Sequence, residues 1–262
     1  MLTSQAIQPT TGLKVAACFS GFPRNYKKTF PFTKCHFLDW CNPDVFWAGY
    51  NEVDGVFDQK VIDLYKPKDF LFRDYDEKAI EEINEQFNNY RPINVVPGSR
   101  VEGMKSQFYN VYLANELKSK REKKLGFKYD IVVRCRPDCY FLKDLTVDQL
   151  SLALGGDIVI PDKWDFKEVS PWGTTDSFAY STSENMDLYS KAFYSFEEYN
   201  SKDKIIWHPE TMIGYHIHKS KLERLKVGPP FEWDGDASSV GGAPGERYKF
   251  NQNSDRRENI TH

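Results

Sequence analysis

From residue 13 onward, apolar positions in this chain fall into two alternating rhythms. Short runs dense in β-branched and aromatic residues, at 14–19, 44–48, 69–72, 130–135 and 157–160, predict strands. Between them, stretches with apolar positions at helical spacing, at 31–41, 56–65, 77–87 and 102–120, predict helices, several opened by proline or an acidic residue. Such alternation predicts an α/β fold with a mainly parallel sheet and helices on both faces. After residue 160 the rhythm loosens. A strand at 176–180, a helix capped by Ser183 and running to 199, a helix opened by Pro209 that carries Glu210, His216 and His218, and a return to the sheet edge at 222–227 complete the expectation.

Composition acts mainly by exclusion. With 40% hydrophobic and 28% charged residues, the chain has the balance of an ordinary globular protein. A net charge of −3 gives no bulk attraction to nucleic acid or anionic lipid, so neither is expected as a partner. The apolar run at 15–19 is far too short to span a bilayer, and no membrane span is expected. Cys18, Cys35, Cys41, Cys135 and Cys139 are odd in number and contain no Cys-x-x-Cys pair, which reads as reduced thiols in a cytoplasmic compartment. Residues 1–12 lack a period and contain Pro9 and Gly12, so they read as a flexible leader before a single domain at 13–234. The polar stretch 235–262 reads as a flexible tail, and Asn259-Ile260-Thr261 within it as a chance match to a glycosylation acceptor.

Candidate chemistry concentrates where apolar strands give way to charge. Ile131 to Val133 look like a buried strand, yet Arg134, Arg136 and Asp138 follow at alternate positions and so point to one face. In open α/β sheets ligands bind at the carboxyl ends of strands, where these side chains would sit. Two guanidiniums and a carboxylate suit a diphosphate with a divalent cation, or else a strand-end ion pair between Asp138 and one arginine. After the first strand, Ser20-Gly21-Phe22-Pro23-Arg24 reads either as a turn or as a loop whose backbone lets a nucleotide approach, with Arg24 reaching a base or phosphate. Lys105, Ser106 and Gln107 cluster in the first turns of the helix at 102–120, either as an anion site or as a solvated helix start. No Gly-x-Gly-x-x-Gly or Gly-x-x-x-x-Gly-Lys occurs, which argues against a dinucleotide enzyme or a P-loop NTPase. Asp176, between a Gly-rich turn and an apolar run, and Glu210, beside His208 and Pro209, are the candidate acid–base groups. His208 and His216, two helical turns apart, read as a metal pair or as ordinary core and surface histidines.

In this order the segments Ser20 to Arg24, Lys105-Ser106-Gln107-Phe108-Tyr109, Tyr129 to Asp138, Thr175-Asp176-Ser177-Phe178 and His208-Pro209-Glu210 resemble the small GT-A-type glycosyltransferases of bacterial surface-polysaccharide clusters and of large DNA viruses, including those of algae. The resemblance runs from about residue 13 to 227. It implies a GT-A-like, Rossmann-like single domain, a nucleoside-diphosphate sugar as donor, UDP-linked first, and a glycan hydroxyl as acceptor. It also implies Mn2+ or Mg2+ held by Asp138, where the family carries its Asp-x-Asp motif. Here the first acidic position of that motif is Arg136, itself able to neutralise phosphate charge. Ser20, Gly21, Arg24, Lys105, Gln107, Arg134 and Arg136 would then bind the donor. Asp176 would be the general base, with Glu210 second, and the reaction would invert the anomeric carbon. If the chain is viral, it would work in the host cytoplasm. A sugar-phosphate nucleotidyltransferase, or a carbohydrate-binding module stacking sugars on Trp172, Trp207 and Trp233, are the other readings of the same residues.

Overall fold

The structure, a computed structural model, describes residues 12–51, 59–163, 165–228 and 231–233. The leader up to residue 11, the start of the helix expected at 56–65, and the tail from 234 with its Asn259 acceptor match lie outside them. Nine strands are described: β1 (Val15–Ser20), β2 (Asp44–Tyr50), β3 (Asp69–Arg73), β4 (Ile131–Cys135), β5 (Cys139–Phe141), β6 (Ile158–Pro161), β7 (Phe178–Ser181), β8 (Arg224–Val227) and β9 (Phe231–Trp233). The α-helices among the described residues are α1 (Tyr26–Thr33), α2 (Asp39–Cys41), α3 (Gln59–Tyr65), α4 (Glu77–Gln86), α5 (Val101–Leu125), α6 (Val147–Ser151), α7 (Ser183–Ser190), α8 (Phe196–Ser201) and α9 (Pro209–Lys219).

Seven strands form one sheet in the order β3-β2-β1-β4-β7-β6-β8, and β5 pairs with β9 in a small second sheet. The pairs β1–β2, β1–β4, β2–β3 and β6–β8 are parallel, each joined through helical crossovers. Strand β7 runs antiparallel to both β4 and β6, so the mainly parallel sheet expected from the sequence carries one reversed strand. Every residue of β1 and β4 is buried, because both faces of the central strands are covered and neither can show an alternating pattern. One face packs Ala16, Cys18 and Val132 against Met104, Phe108 and Val111 of α5, and the other packs Val15, Phe19 and Val133 against Phe37 and Tyr65. The chain thus adopts the Rossmann-type α/β architecture, a mainly parallel sheet flanked by helices, that its sequence predicts. Among the described residues no helix is long and apolar enough to cross a membrane.

Local chemistry explains where the element boundaries depart from expectation. The helix expected at 31–41 begins earlier, at Tyr26, after Asn25 in the left-handed region (φ 50°), and passes Pro31 into a π-helical segment, Lys34–Leu38, before α2. The helix expected to run to 199 is interrupted by the 3-10 segment Lys191–Ser195 between α7 and α8. Its cap is Thr182, whose Oγ1 accepts from Asn185 N, because the Ser183 hydroxyl is committed to Lys118 and Glu122. Strands β5 and β9 and helix α6 have no counterpart in the expectation. They are too short for a period to show, and α6 rests on a capping box between Thr146 and Gln149.

Candidate active site

The carboxyl ends of β1 and β4 open onto a cleft of about 1450 Å³. Its floor and walls are the turn after β1, the first turns of α5, the segment after β4 and the start of α9. The turn is tied down before any ligand arrives. Gly21 adopts φ +97°, its N–H donates to Ala48 O (2.9 Å), and its carbonyl accepts from Trp47 Nε1 (3.3 Å). A Cβ on Gly49 would sit 2.0 Å from that same carbonyl, so the close approach of the two strands requires glycine there. Ser20 ends with its hydroxyl buried and without a hydrogen-bond partner, and Arg24 lies 5.4 Å from the Phe22 ring.

The segment after β4 is held at both ends, since Arg136 N–H donates to Ser177 O (3.1 Å) and Thr29 Oγ1 donates to Pro137 O (2.6 Å). Arg136 and Asp138 form a fork, Nε to Oδ1 at 3.0 Å and Nη2 to Oδ2 at 2.7 Å, with the carboxylate only 1% exposed. Burial by itself raises the Asp138 carboxyl, but the Arg136 guanidinium, with Arg24 adding to it, more than reverses this and holds it below the usual carboxylate range. Burial opposes the Arg136 charge in turn, and Asp138 keeps the guanidinium firmly protonated.

Across the cleft Glu210 lines the wall, while Asp176, far away in sequence, is buried behind Gln107 and does not itself line the cleft. Gln107 Nε2 donates to Asp176 Oδ2, which ties the carboxylate to α5. Thr174 N–H donates to Glu210 O (3.1 Å), and a Cβ on Gly214 would lie 1.7 Å from Trp172 O, so α9 packs backbone to backbone on the loop that carries Asp176. Burial, and then the Asp176 charge, push the Glu210 carboxyl up to about 9. Its Oε2 lies 3.3 Å from His208 Nε2 without the alignment of a hydrogen bond. Burial also lowers the His208 pKa, against the pull of Asp176, so at neutral pH this corner holds a neutral imidazole beside a protonated Glu210.

Of the residues expected to bind the donor, Ser20, Gly21, Arg24, Gln107 and Arg136 line the cleft. Two do not. Lys105 turns away, and its Nζ donates to Asn84 Oδ1 and Tyr90 O, both at 2.8 Å, which ties α5 to α4 and the segment after it. Arg134 is 2% exposed beneath the cleft on the face of Val132, near Tyr189, and none of its guanidinium nitrogens has a hydrogen-bond partner. The histidine pair also separates. His216 is a core residue bonded to Leu188 O (2.9 Å) and Tyr199 Oη (3.0 Å), far from the role of a cleft ligand. Trp207 is fully buried and Trp172 packs on His218 (4.4 Å), so neither offers the open face expected to stack sugars, and the Trp233 side chain lies outside what the structure describes.

Asp138 as a metal ligand needs correction for the same geometric reason. Each of its oxygens accepts a hydrogen bond from Arg136, whose positive charge lies where a cation would sit, and a hard divalent cation demands several oxygen ligands. Asp176 accepts from Gln107 behind the cleft wall. Among the described residues no group of three or more His, Cys, Asp or Glu side chains is placed to hold a metal. The acids of this cleft therefore do not fit a resident Mn2+ or Mg2+.

Sequence reasoning missed the aromatic wall. Phe22, Tyr50 and Tyr75 pack on one another with ring centroids 4.9 to 5.5 Å apart and line the cleft. Tyr50 was legible only as the last residue of β2, two positions past the expected strand end.

No protein-family description and no curated protein matches the chain. Among solved structures the chain is similar to mouse xyloside xylosyltransferase 1 in its apo form, with a TM-score of 0.46 and 11% identity over 81% of this chain and 85% of that one. At that distance the function rests on the cleft itself.

Proposed function

We propose that the chain is a glycosyltransferase that moves a monosaccharide from a nucleoside-diphosphate sugar, a UDP-sugar first, to a hydroxyl of a glycan acceptor in the cytosol. The observation that carries this reading is a single cleft over the ends of β1 and β4 that joins an arginine-bearing wall to Glu210, with Asp176 buried behind the cleft residue Gln107 and acting on Glu210 through its charge. The wall suits a diphosphate, through guanidinium–phosphate pairing. The Glu210 carboxyl, raised by burial beside the Asp176 charge, suits proton transfer. Glu210 already carries a proton, so Asp176 is the group that takes one. In the step, the acceptor oxygen forms a bond to the anomeric carbon while the bond from that carbon to the diphosphate oxygen breaks. The bonding pair leaves on the diphosphate, and the hydroxyl proton passes to Asp176. Attack opposite the departing diphosphate inverts the anomeric centre. Gln107 orients the Asp176 carboxylate.

A thermal-shift panel of UDP-, GDP-, CMP- and dTDP-sugars tests the reading. A ligand at a hundred times its Kd adds about 2.7 kcal/mol, which raises Tm by roughly 5 to 10 °C for a chain of this size. If no nucleotide shifts Tm while a glycan does, the chain binds carbohydrate without transferring it.

A further inference from the structure

The donor diphosphate brings negative charge into the cleft, and more develops on its leaving oxygen as the anomeric bond breaks. Something positive has to meet that oxygen. The acids that could hold a dication there are already committed. A cation on Asp138 would lie against the Arg136 guanidinium and compete with it for the same buried counter-charge, an unfavourable arrangement.

The cleft carries positive charge of its own instead. Arg24, Lys27, Lys28, Arg100 and Arg136 line it, against the acidic Glu102, Asp138 and Glu210, and Glu210 is protonated. Arg136 is the best placed of the five. It follows β4 directly, its backbone is bonded to β7's approach at Ser177, and its side chain is fixed by two hydrogen bonds to a buried carboxylate. A planar guanidinium held in this way loses little freedom on pairing with phosphate oxygens.

We propose that Arg136, held in place by Asp138, meets the departing diphosphate in this chain without a divalent cation between them. This rests on the glycosyltransferase reading and assigns Asp138 as a positioning residue for Arg136. The other cleft cations balance the remaining phosphate charge.

Calorimetric titration with UDP in EDTA and in excess Mn2+ tests it. The wild-type Kd should agree within about threefold between the two conditions, a difference under about 1 kcal/mol. Arg136→Met should weaken UDP binding in EDTA by about tenfold or more, the worth of a charge-assisted hydrogen bond, and Mn2+ should restore part of it because the Asp138 oxygens are then released. Arg136→Lys keeps the charge without the fork. It should bind UDP more weakly than wild type with no gain in Mn2+ dependence, and it serves if the Met variant fails to fold. Wild-type binding that requires Mn2+ would overturn the proposal and leave the glycosyltransferase reading standing. Arg136 variants that bind UDP as wild type does in EDTA would also overturn it. Absence of nucleotide binding under both conditions would overturn the glycosyltransferase reading and this proposal with it.

Discussion

Glu210→Gln probes the carboxyl pair through its protons. In the folded chain burial and the Asp176 charge lift this carboxyl from 4.5 to about 9. At neutral pH the folded state therefore holds a proton that the unfolded state has released. A group with a raised folded pKa contributes stability that is complete below the unfolded value and drains away as pH climbs through the folded one. The slope for one proton is about 1.4 kcal/mol per pH unit. Because the side chain is only 13% exposed, solvent screening takes little from that figure. Glutamine keeps the shape and cannot ionise, so the variant lacks this slope. His208, lowered below its usual 6.5 by burial, is neutral in both states above that value and adds nothing at higher pH. Between about pH 7 and about pH 8.5 the wild type should lose about 2 kcal/mol that the variant retains. In differential scanning calorimetry this appears as a wild-type Tm that falls roughly 4 to 8 °C further than that of Glu210→Gln over the same interval. Parallel decline of the two proteins would mean that Glu210 is ionised in the fold, and the assignment of Asp176 as the group that takes the proton would lose its basis.

Asp176→Asn should lower kcat by about 10²- to 10⁴-fold with UDP affinity nearly intact, read by steady-state kinetics and calorimetry, and loss of UDP binding would make Asp176 a donor ligand instead. Gly214→Ala puts a Cβ 1.7 Å from Trp172 O, so α9 must move off the Asp176 loop. A loss of about 1 to 3 kcal/mol in urea unfolding is expected, and an unchanged midpoint would refute the close approach. Lys105→Met leaves Asn84 Oδ1 and Tyr90 O without their buried donor, which should cost about 1 to 3 kcal/mol while UDP affinity stays the same. Weaker UDP binding with no stability loss would return Lys105 to the donor site.

Much of the fold was legible because it depends on local pattern. β1 up to Phe19 and β4 up to Val133 are continuous apolar runs, and such runs have one stable use, as the doubly covered centre of a sheet. The cap of α4 is equally local, with Asp76 Oδ1 accepting from Ala79 N–H at 2.8 Å. Strand direction is different, because a reversed β7 buries the same apolar residues as a parallel one, and only its pairing with β4 and β6 decides.

Site residues divide along the same line. Gly21 and the Arg136-Pro137-Asp138 segment announce themselves through a glycine after a strand and charges at a strand end. Depth does not appear in a period of two, so Arg134 and Arg136 read alike although one lies in the core and the other in the cleft. Lys105 and Gln107 also read as one cluster, yet residues two apart on a helix diverge by about 200°, and the roll of α5 on the sheet sends one to Asn84 and the other to Asp176. The meeting of Asp176 with Glu210 lies furthest from the sequence. Two carboxyls more than thirty positions apart share a charge environment because Gly214 lets a helix backbone rest on the Trp172 carbonyl, a contact made only when the chain has packed.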